Sequence, residues 1–466
     1  MHILDYLIFG IYFVIILLIG LYFYKKNKSR EDYFVGGRSM SSSHIGMSIV
    51  ATDVGGGFSI GLGGLGYVMG LSGSWLLFTG LVGAWLSAVY LVPKVKGLDV
   101  KFNMFTYPDF LRSKFNGKVA LIAAIISGIG YLGFTGGQIL AGAKLASATV
   151  LSGTDSLNTA LYIIAGIIIA YTVLGGIKAV IYTDTVQWAI LLIGLIFFAI
   201  PFAYFKVGGW ETIYNSLPRE YFTLTNISVN QLINWAVTII PIWFIAMTLY
   251  QRIYASKNEK SAKKAFYIAG ILEYPIMAFM GVILGMISKI FFPEVEAEMG
   301  LPLLLQNVLP IGVTGIVVAS YFSAIMSTAD SCLMASSGNI VNDIIERYFL
   351  KKSNQKLILK ISQVATLIIG IIATLIASKF TTVLNIILQA YSFMIAGLFY
   401  PTLIAIFSKN KNSQSAFISM MAGGILSLVF IFTSFEPFGL SSSFYGILLS
   451  IIVYHTVSIF TGEKNV

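Results

Sequence analysis

Long apolar blocks are the feature that most restricts how this sequence can fold. Each block is close to the roughly 20 residues that a helix needs to cross the hydrocarbon core of a bilayer. Only 11% of the 466 residues are charged, against roughly 25% in soluble domains. The sequence therefore predicts an all-α polytopic membrane protein with about 13 transmembrane helices. The predicted spans are residues 4–24, 44–70, 73–93, 118–145, 157–177, 184–205, 230–251, 265–290, 311–341, 361–378, 381–408, 414–434 and 441–461.

The Lys and Arg residues fall in every second connection between these blocks. Because basic residues collect in short cytoplasmic loops, that side is predicted to face the cytoplasm. An odd number of spans then places the N-terminus outside and the C-terminus inside, in the plasma (inner) membrane. The basic residues on the predicted cytoplasmic side lie at 25–38, 94–118, 178, 252–264, 347–360, 409–411 and 464, and they include Lys96 and Arg252.

Several other functions are disfavoured by composition. The topology accounts for the net charge of +10, so no basic domain is left over for nucleic acid. The block 4–24 lacks the basic leader and the cleavage site of a signal peptide, and we expect it to remain as a helix. The single cysteine, Cys332, and the scattered histidines His2, His44 and His455 offer no disulfide and no metal-ligand spacing. We therefore expect no enzyme activity.

Four acidic residues lie within or at the edge of the apolar blocks, namely Asp53, Asp184, Glu273 and Asp330. A charge at the centre of a membrane helix costs about 2.5 to 3.5 kcal/mol, so each acid calls for a functional or structural reason. Asp53 stands in the segment Ala51–Phe58, where three consecutive glycines weaken the helical backbone. Carbonyl groups freed in this way can face a cavity and bind a cation.

The ninth block contributes a polar helix face. Ala324, Ser327, Thr328 and Ser331 are three or four residues apart and therefore share one side of a helix. Hydroxyl and carbonyl oxygens are the ligands that a hard cation such as sodium prefers. Small and hydroxyl residues also serve simply for close helix packing, but together with a glycine-broken span and intramembrane acids they favour an ion site.

These segments resemble the sodium/solute symporter family, whose members carry proline, sugars, sialic acid, choline, pantothenate or iodide. The matching motifs are Glu31–Arg38, Gly175–Asp184 with Gln187, Gln251–Arg252 and Ala324–Ser331, so the resemblance covers nearly the whole chain. It implies a LeuT-type core of two inverted five-helix repeats in a single transporter domain, residues 1–466. The repeats would be 44–205 and 230–408, with an extra N-terminal helix at 4–24 and two C-terminal helices at 414–461. Pro241 is then expected to break the seventh span as a counterpart to the glycine-rich second span.

The resemblance also implies which residues bind sodium. The common sodium site would use the carbonyls of Ala51, Val54 and Ala324 with the hydroxyls of Ser327 and Thr328. A possible second sodium site would use Asp184, Asp330 and Ser331 together with Ser327. Asp330 stands where the family has a serine, and its carboxylate can strengthen that site or share a proton with a neighbouring acid. One or two sodium ions are therefore expected.

Candidate substrate-binding residues are Asp53, Phe58, Gln138, Trp243 and Gln389. Asp53 matches an aspartate of proline carriers, where it would assist sodium or pair with a substrate amine, unless it is a local helix cap. Trp243 and Gln389 resemble residues of sugar carriers, and Gln389 is expected to be a buried amide. A Trp or Phe in a membrane span is otherwise ordinary packing. Glu273 matches no family motif, so a structural hydrogen bond and a gating role remain equally open.

The predicted function is sodium-coupled symport, in which a small polar organic solute is imported by alternating access. Sugars, amino acids, quaternary amines and carboxylates are all admissible solutes, and the expected partners are the solute, sodium and the lipid bilayer, with no obligatory protein partner. A proton-coupled transporter using Asp53, Asp184 or Asp330 is the closest alternative. A sodium-dependent sensor is less favoured, because no output domain is expected after the last span. A channel would want a repeated pore element, which the sequence lacks.

Overall fold

The computed structural model describes residues 1–26, 35–151, 156–174, 177–350 and 355–461, and within them the chain is almost entirely helical. The motif residues Glu31–Phe34 and Gly175–Gly176 lie outside this described part. The helices are α1 Ile3–Lys26, α2 Ser42–Asp53, α3 Gly55–Met69, α4 Trp75–Phe102, α5 Tyr107–Lys114, α6 Gly117–Ala148, α7 Ser156–Leu174, α8 Ile177–Ile193, α9 Ile200–Lys206, α10 Gly209–Ser216, α11 Val229–Ile245, α12 Met247–Ala255, α13 Glu259–Ile271, α14 Ala278–Phe291, α15 Ala297–Val308, α16 Val313–Gly338, α17 Glu346–Phe349, α18 Gln355–Ala377, α19 Val383–Phe407, α20 Ser413–Thr433 and α21 Ser442–Thr461.

The predicted all-α membrane architecture is confirmed. In the described ranges, 9 helical runs are long and apolar enough to cross a bilayer, or up to 10 if the bent pair α11 and α12 forms one span. One of these runs, Gly55–Phe102, has 48 residues and contains both α3 and α4, which the turn Gly70–Ser74 separates. The apolar stretches of α1 and α7, Ile3–Ile15 and Leu157–Ala170, are shorter than that test requires. The number of 13 spans stays a prediction.

The helix α16 forms the centre of the molecule. In its apolar window 94% of the residues are buried, against 33% in α20 and 17% in α21. Since lipid tails are as apolar as leucine, helices in a membrane associate through close packing of small residues and through polar contacts. The crossing of α3 and α14 shows such packing, because a Cβ atom at Gly66 would lie 2.2 Å from the carbonyl oxygen of Val282. The peripheral helices leave their large apolar side chains exposed, as expected for a lipid-facing surface.

The N-terminus of α16 is held by an acid that the sequence analysis did not single out. Asp5 of α1 is 2% exposed, and its Oδ1 atom accepts hydrogen bonds from the backbone N–H groups of Gly312 at 2.6 Å and Gly315 at 3.1 Å. A carboxylate at a helix N-terminus satisfies N–H groups that lack a helical partner and complements the helix dipole. Asp5 therefore joins the first helix to the central one.

A buried ion cluster joins three helices near the C-terminal end of α6. Lys144 lies 2.7 Å from carboxylate oxygens of both Glu296 and Glu298. The Glu298 carboxylate also accepts hydrogen bonds from the backbone N–H groups of Val383 at 2.7 Å and Leu384 at 3.0 Å. Because those N–H groups lie at the start of α19, this carboxylate caps the helix and also neutralises Lys144. The cluster ties α6, α15 and α19 together.

A second polar network lies at the end of the bundle that carries Arg38, Lys96 and Asp99. We call this end the basic end. Arg38 contacts the carboxylate of Asp99, and Lys96 donates to Asp99 and to the carbonyl oxygen of Tyr254, both at 2.9 Å. Lys96 was counted among the loop residues from sequence, but it lies within α4 and is 4% exposed. Lys96 therefore joins α4 to the end of α12.

The short helix α5 adds an aromatic contact at the basic end. The hydroxyl groups of Tyr107 and Thr402 are 2.6 Å apart, and the ring of Tyr107 packs against Tyr250 with centroids 4.9 Å apart. Burial raises the pKa of Tyr107 well above its ordinary value, because the phenolate would be desolvated. The phenol therefore stays neutral and able to donate, and it links α5 to α19.

Glu298→Ala is expected to lower the free energy of unfolding by about 3 kcal/mol, because it removes the buried partner of Lys144 and the cap of α19. Thermal unfolding of the purified protein in detergent measures the change. Glu296→Ala is the matched control in the same cluster. Its side chain is 44% exposed, so its loss should cost no more than about 1 kcal/mol. Equal destabilisation by both substitutions would show that burial does not distinguish the two acids.

Candidate functional site

A break between α2 and α3 forms the base of the site. α2 ends at Asp53, and α3 begins at Gly55, whose φ of +45° is unfavourable for any residue with a side chain. A Cβ atom at Gly55 would lie 2.2 Å from the hydroxyl oxygen of Thr328, and one at Gly56 would lie 1.8 Å from Cγ1 of Ile325. The glycines therefore allow the broken backbone to lie directly against α16.

The hydroxyl group of Thr328 joins the break to α16. It donates to the carbonyl oxygen of Ala51 at 2.7 Å and to that of Ala324 at 3.0 Å. The hydroxyl of Ser327 donates to the same Ala324 carbonyl at 3.2 Å. The structure thus brings together four of the five residues proposed for the first sodium site. The fifth, Val54, lies at the break, where its carbonyl oxygen accepts the N–H of Phe58 at 3.1 Å.

Arg252 occupies the space beside this oxygen cluster. Its side chain is fully buried, although the sequence analysis placed it in a cytoplasmic loop. One terminal nitrogen, Nη2, donates to the hydroxyls of Thr52 at 2.7 Å and Ser331 at 3.0 Å, and it lies 3.7 Å from Asp184. Asp184 in turn accepts a hydrogen bond from Ser48 at 2.6 Å. A guanidinium group therefore stands between two of the residues proposed for the second sodium site.

A change of helix direction explains why Arg252 is buried. α11 and α12 meet at Ala246, which has an extended ψ of 116°, and their axes differ by 42°. The bend aims α12 inward, between α2 and α16. The sequence analysis placed the break at Pro241, and this position is wrong, because Pro241 lies inside α11. Proline removes one hydrogen bond of a helix, but here the backbone turns five residues later.

Asp330 lies in a different environment from Asp184 and Ser331. Its carboxylate accepts a hydrogen bond from the hydroxyl of Thr172 in α7. It also lines a small cavity between α1, α8 and α16, together with Ser327, Thr183 and Gln187. The three residues proposed for a second sodium ion are therefore divided, with two on the guanidinium of Arg252 and the third at this cavity.

Two of the proposed substrate residues, Phe58 and Gln138, lie next to the helix break. Phe58 forms an aromatic cluster with Phe134 and Tyr391, with ring centroids 5.0 to 6.5 Å apart. Gln138 is fully buried, and its Oε1 atom accepts the N–H of Gly57 at 3.0 Å. Its Nε2 atom has no hydrogen-bond partner within the described residues. An unpaired buried donor beside the break is available for a ligand.

Two other proposed substrate residues lie elsewhere. Trp243 is fully buried and packs against Gly83 of α4 and Phe266 of α13. Gln389 is partly exposed and donates to Asn385 at 3.0 Å on its own helix. The expectation that Gln389 is a buried amide is therefore wrong. Asn385 and Gln389 are one helical turn apart, so both amide groups lie on the same face of α19.

The fifth substrate candidate, Asp53, is partly exposed at the end of α2, and its carboxyl group faces that of Glu273 at hydrogen-bond range. Glu273 is fully buried in the π turn Leu272–Met277 between α13 and α14. The structure thus pairs an acid that the sequence analysis left unassigned with one that it had proposed for substrate.

Residues 33–423 match the sodium:solute symporter family. The chain belongs to this family. The match includes the helix break, the central helix α16 and Arg252, so the site described above lies within the matched region. Family membership implies that sodium and a solute are partners of this chain, and that the protein crosses the membrane several times.

Its similar relatives include bacterial proline carriers. The high-affinity proline transporter PutP of Bacillus subtilis (strain 168) is 27% identical, with 96% of each chain covered. The osmoregulated proline transporter OpuE of the same organism is 26% identical, covering 97% of this chain and 94% of OpuE. A sodium/proline symporter of Staphylococcus aureus (strain COL) is 27% identical, covering 99% of this chain and 93% of the relative.

Solved structures show the fold. A Na+-coupled sialic acid symporter in a substrate-bound outward-open state superposes with a TM-score of 0.81, at 21% identity and with both chains fully covered. MHP1, a nucleobase-cation-symport-1 family transporter in a closed conformation with bromovinylhydantoin bound, gives a TM-score of 0.60 at 13% identity, covering 93% of this chain and 96% of MHP1. Both are LeuT-fold transporters. The relatives and structural neighbours are transporters and not enzymes.

Arg252→Gln and Asp184→Asn are each expected to destabilise the protein by about 3 kcal/mol, because each leaves an uncompensated buried charge. The double variant should recover part of the loss, with a coupling energy of about 0.5 to 3 kcal/mol. Unfolding of the four proteins in detergent gives this double-mutant cycle. Strictly additive losses would show that the two charges do not stabilise each other.

Gly56→Ala is expected to destabilise the fold by about 1 to 3 kcal/mol, because the added methyl group overlaps Ile325. Gly97→Ala in α4 is the matched control, since a Cβ atom there meets nothing within 4 Å. Alanine at that position should leave stability unchanged or raise it by about 0.5 to 1 kcal/mol. Thermal unfolding compares the two variants, and an equal stability of both would contradict close packing at the break.

Proposed function

We propose that this protein is a sodium-coupled symporter that imports a small polar organic solute by alternating access, with its N-terminus outside and its C-terminus in the cytoplasm. The observation that supports this most directly is the hydroxyl of Thr328, which bridges the carbonyl groups of Ala51 on the broken helix and Ala324 on α16. Oxygen atoms from two different helices meet at this point. A cation bound there would hold those helices together.

The donor set suits sodium. Two carbonyl and two hydroxyl oxygens supply hard ligands without a full negative charge, which keeps the binding reversible. A sodium ion would replace the Thr328 hydroxyl proton as the link between the carbonyl oxygens of Ala51 and Ala324. It would thereby hold the broken helix against α16. Gln138 and the aromatic cluster of Phe58 are next to the break on α3 and α6. Sodium bound at the break would therefore organise the adjoining solute site first.

The buried Arg252 favours a coupling ratio of one sodium ion to one solute. Its guanidinium already supplies a positive charge to Asp184 and a hydrogen bond to Ser331. A second sodium ion between these residues would meet a resident cation at close range and be repelled. The cavity lined by Asp330 and Ser327 is the remaining position for a second ion.

One sodium ion is sufficient to drive uptake. A single charge crossing a potential of 100 mV releases about 2.3 kcal/mol, and a tenfold sodium gradient adds about 1.4 kcal/mol. Together these concentrate a neutral solute several hundredfold. Release into the cytoplasm then requires the basic end to open, where Lys96 and Tyr254 are hydrogen-bonded.

The relatives supply the first solute to test. The bacterial proteins that match nearly the full length are proline carriers, so L-proline is the leading candidate, followed by the sialic acid of the structural neighbour. Proton coupling is the second candidate mechanism. It is favoured by Asp330 and Glu273, two fully buried acids that form no salt bridge in the described part of the chain.

Thr328→Ala and Ser327→Ala are expected to reduce sodium-dependent uptake at least tenfold in proteoliposomes that contain the purified protein, because each removes a proposed sodium ligand. Ser320→Ala is the matched control, since Ser320 is also buried on α16 but donates only to Val317 of its own helix at 2.8 Å. Uptake by that variant should stay sodium-dependent. Uptake that ignores sodium and follows a pH gradient would overturn sodium coupling, and solute binding without uptake would indicate a sensor.

A further inference from the structure

The acid Glu273 has no role in the sodium site proposed above, yet its position is costly. The side chain is fully buried within the helical bundle, where a carboxylate needs either a donor or a cation. Neither of its carboxylate oxygens has a hydrogen-bond donor among the described residues. Its carboxyl group lies at hydrogen-bond range from that of Asp53, which is another acid.

The surrounding backbone is shaped to hold Glu273 at this point. A π turn interrupts the helix between α13 and α14, and Tyr274 within it has an extended conformation, with φ −135° and ψ 124°. Irregular backbone inside a membrane helix often marks a functional site. On the facing helix, a Cβ atom at Gly80 would lie 2.4 Å from Oε2 of Glu273. The glycine in α4 therefore leaves space that the carboxylate fills.

Among the residues that the structure describes, the pair of acids has no cationic side chain as a partner. Within the described residues, Asp53 and Glu273 form no salt bridge, whereas the buried acids Asp99, Asp184 and Glu298 each face a lysine or an arginine. Two carboxyl groups side by side in a medium of low dielectric repel each other strongly when no positive charge lies between them. A positive charge on the transported solute would reduce that repulsion.

The environment of the pair identifies the kind of cation. Asp53 is partly exposed, whereas Glu273 is fully buried. The hydroxyl of Tyr391 is at hydrogen-bond range from Asp53, and the rings of Phe58 and Phe134 complete the aromatic cluster around that tyrosine. Aromatic faces attract organic cations, whereas sodium prefers a shell of small oxygen donors like that at the break.

We propose that Asp53 and Glu273 form a two-carboxylate site for the positively charged nitrogen of an organic ammonium solute, with the Phe58, Phe134 and Tyr391 rings beside it. The site rests on the proposed symport function and narrows its solute class. An amine or quaternary ammonium group bound beside the two carboxylates reduces their repulsion, and the rest of the solute faces the aromatic cluster. Sugars and simple carboxylates bring no positive charge and are excluded as the preferred cargo.

The affinity of purified protein in detergent for four probes tests the site, measured by calorimetry in the presence of sodium. L-proline and choline carry a cationic nitrogen, whereas D-glucose and L-lactate do not. The ammonium probes are expected to bind, and Glu273→Gln and Asp53→Asn should each raise their Kd at least tenfold. Glu211→Gln is the matched control, because it removes one exposed carboxylate on α10 and should leave the Kd unchanged. Stabilisation of the Glu273→Gln protein by sodium alone should match that of the parent, because Glu273 is not a proposed sodium ligand.

Preferential binding of D-glucose or L-lactate would overturn the ammonium site, as would a Kd for the ammonium probes that Glu273→Gln leaves within twofold. If Glu273→Gln does not fold, Glu273→Asp answers the same question, because it withdraws the carboxylate by one methylene group. Its expected result is a raised Kd at unchanged stability, and an unchanged Kd contradicts the site. If D-glucose uptake is driven by sodium and the Glu273→Gln substitution does not change it, the ammonium site is refuted but sodium coupling is not. If L-proline uptake does not depend on sodium but is reduced by Glu273→Gln, only sodium coupling is refuted.

Discussion

Inside a bilayer no water is available to a free backbone group, so every interruption of a helix must be satisfied by the protein itself. The break at Val54–Gly55 meets this constraint through one side chain, Thr328, whose hydroxyl reaches the Ala51 carbonyl. The arrangement requires glycine at the break and small polar residues on α16, because any larger side chain would separate the two helices. The burial of α16 on all sides follows from the same requirement, and Asp5 holds the beginning of that helix.

Charges within the bundle follow a second rule, which is that a buried charge is paired or pays a large desolvation cost. Lys144 with Glu298, Lys96 with Asp99, and Arg252 with Asp184 obey it. The first and third pairs join helices that are distant in sequence, whereas Lys96 and Asp99 share α4 and Lys96 reaches α12 through the carbonyl of Tyr254. Within the described residues Asp53, Glu273 and Asp330 form no salt bridge, and the pair of Asp53 and Glu273 beside aromatic rings is where a cationic solute has most to contribute.

Sequence reasoning succeeded where the physical signal is local. Apolar length and charge distribution indicate membrane helices, consecutive glycines indicate a weak point in a helix, and the spacing of Ala324, Ser327 and Thr328 indicates one polar face. Sequence reasoning failed where a bend in the backbone decides whether a side chain is buried. Arg252 follows an apolar block, so it was assigned to a loop, and only the bend at Ala246 carries it into the core. Pro241 was expected to make that bend, but a proline weakens a helix without determining where the chain turns.

The sequence by itself determined the membrane class, the symporter family and the two segments that meet at the proposed sodium site, because these depend on composition and on spacing within one helix. Only the tertiary structure decided which buried charges are partners. It placed a guanidinium beside Asp184 and Ser331 and put Asp330 in a different environment. It also set Glu273 against Asp53, with no cationic partner among the described residues. The physical reason is that the stability of a charge inside a membrane depends on what lies within a few ångströms of it. That neighbourhood is assembled from helices far apart along the chain.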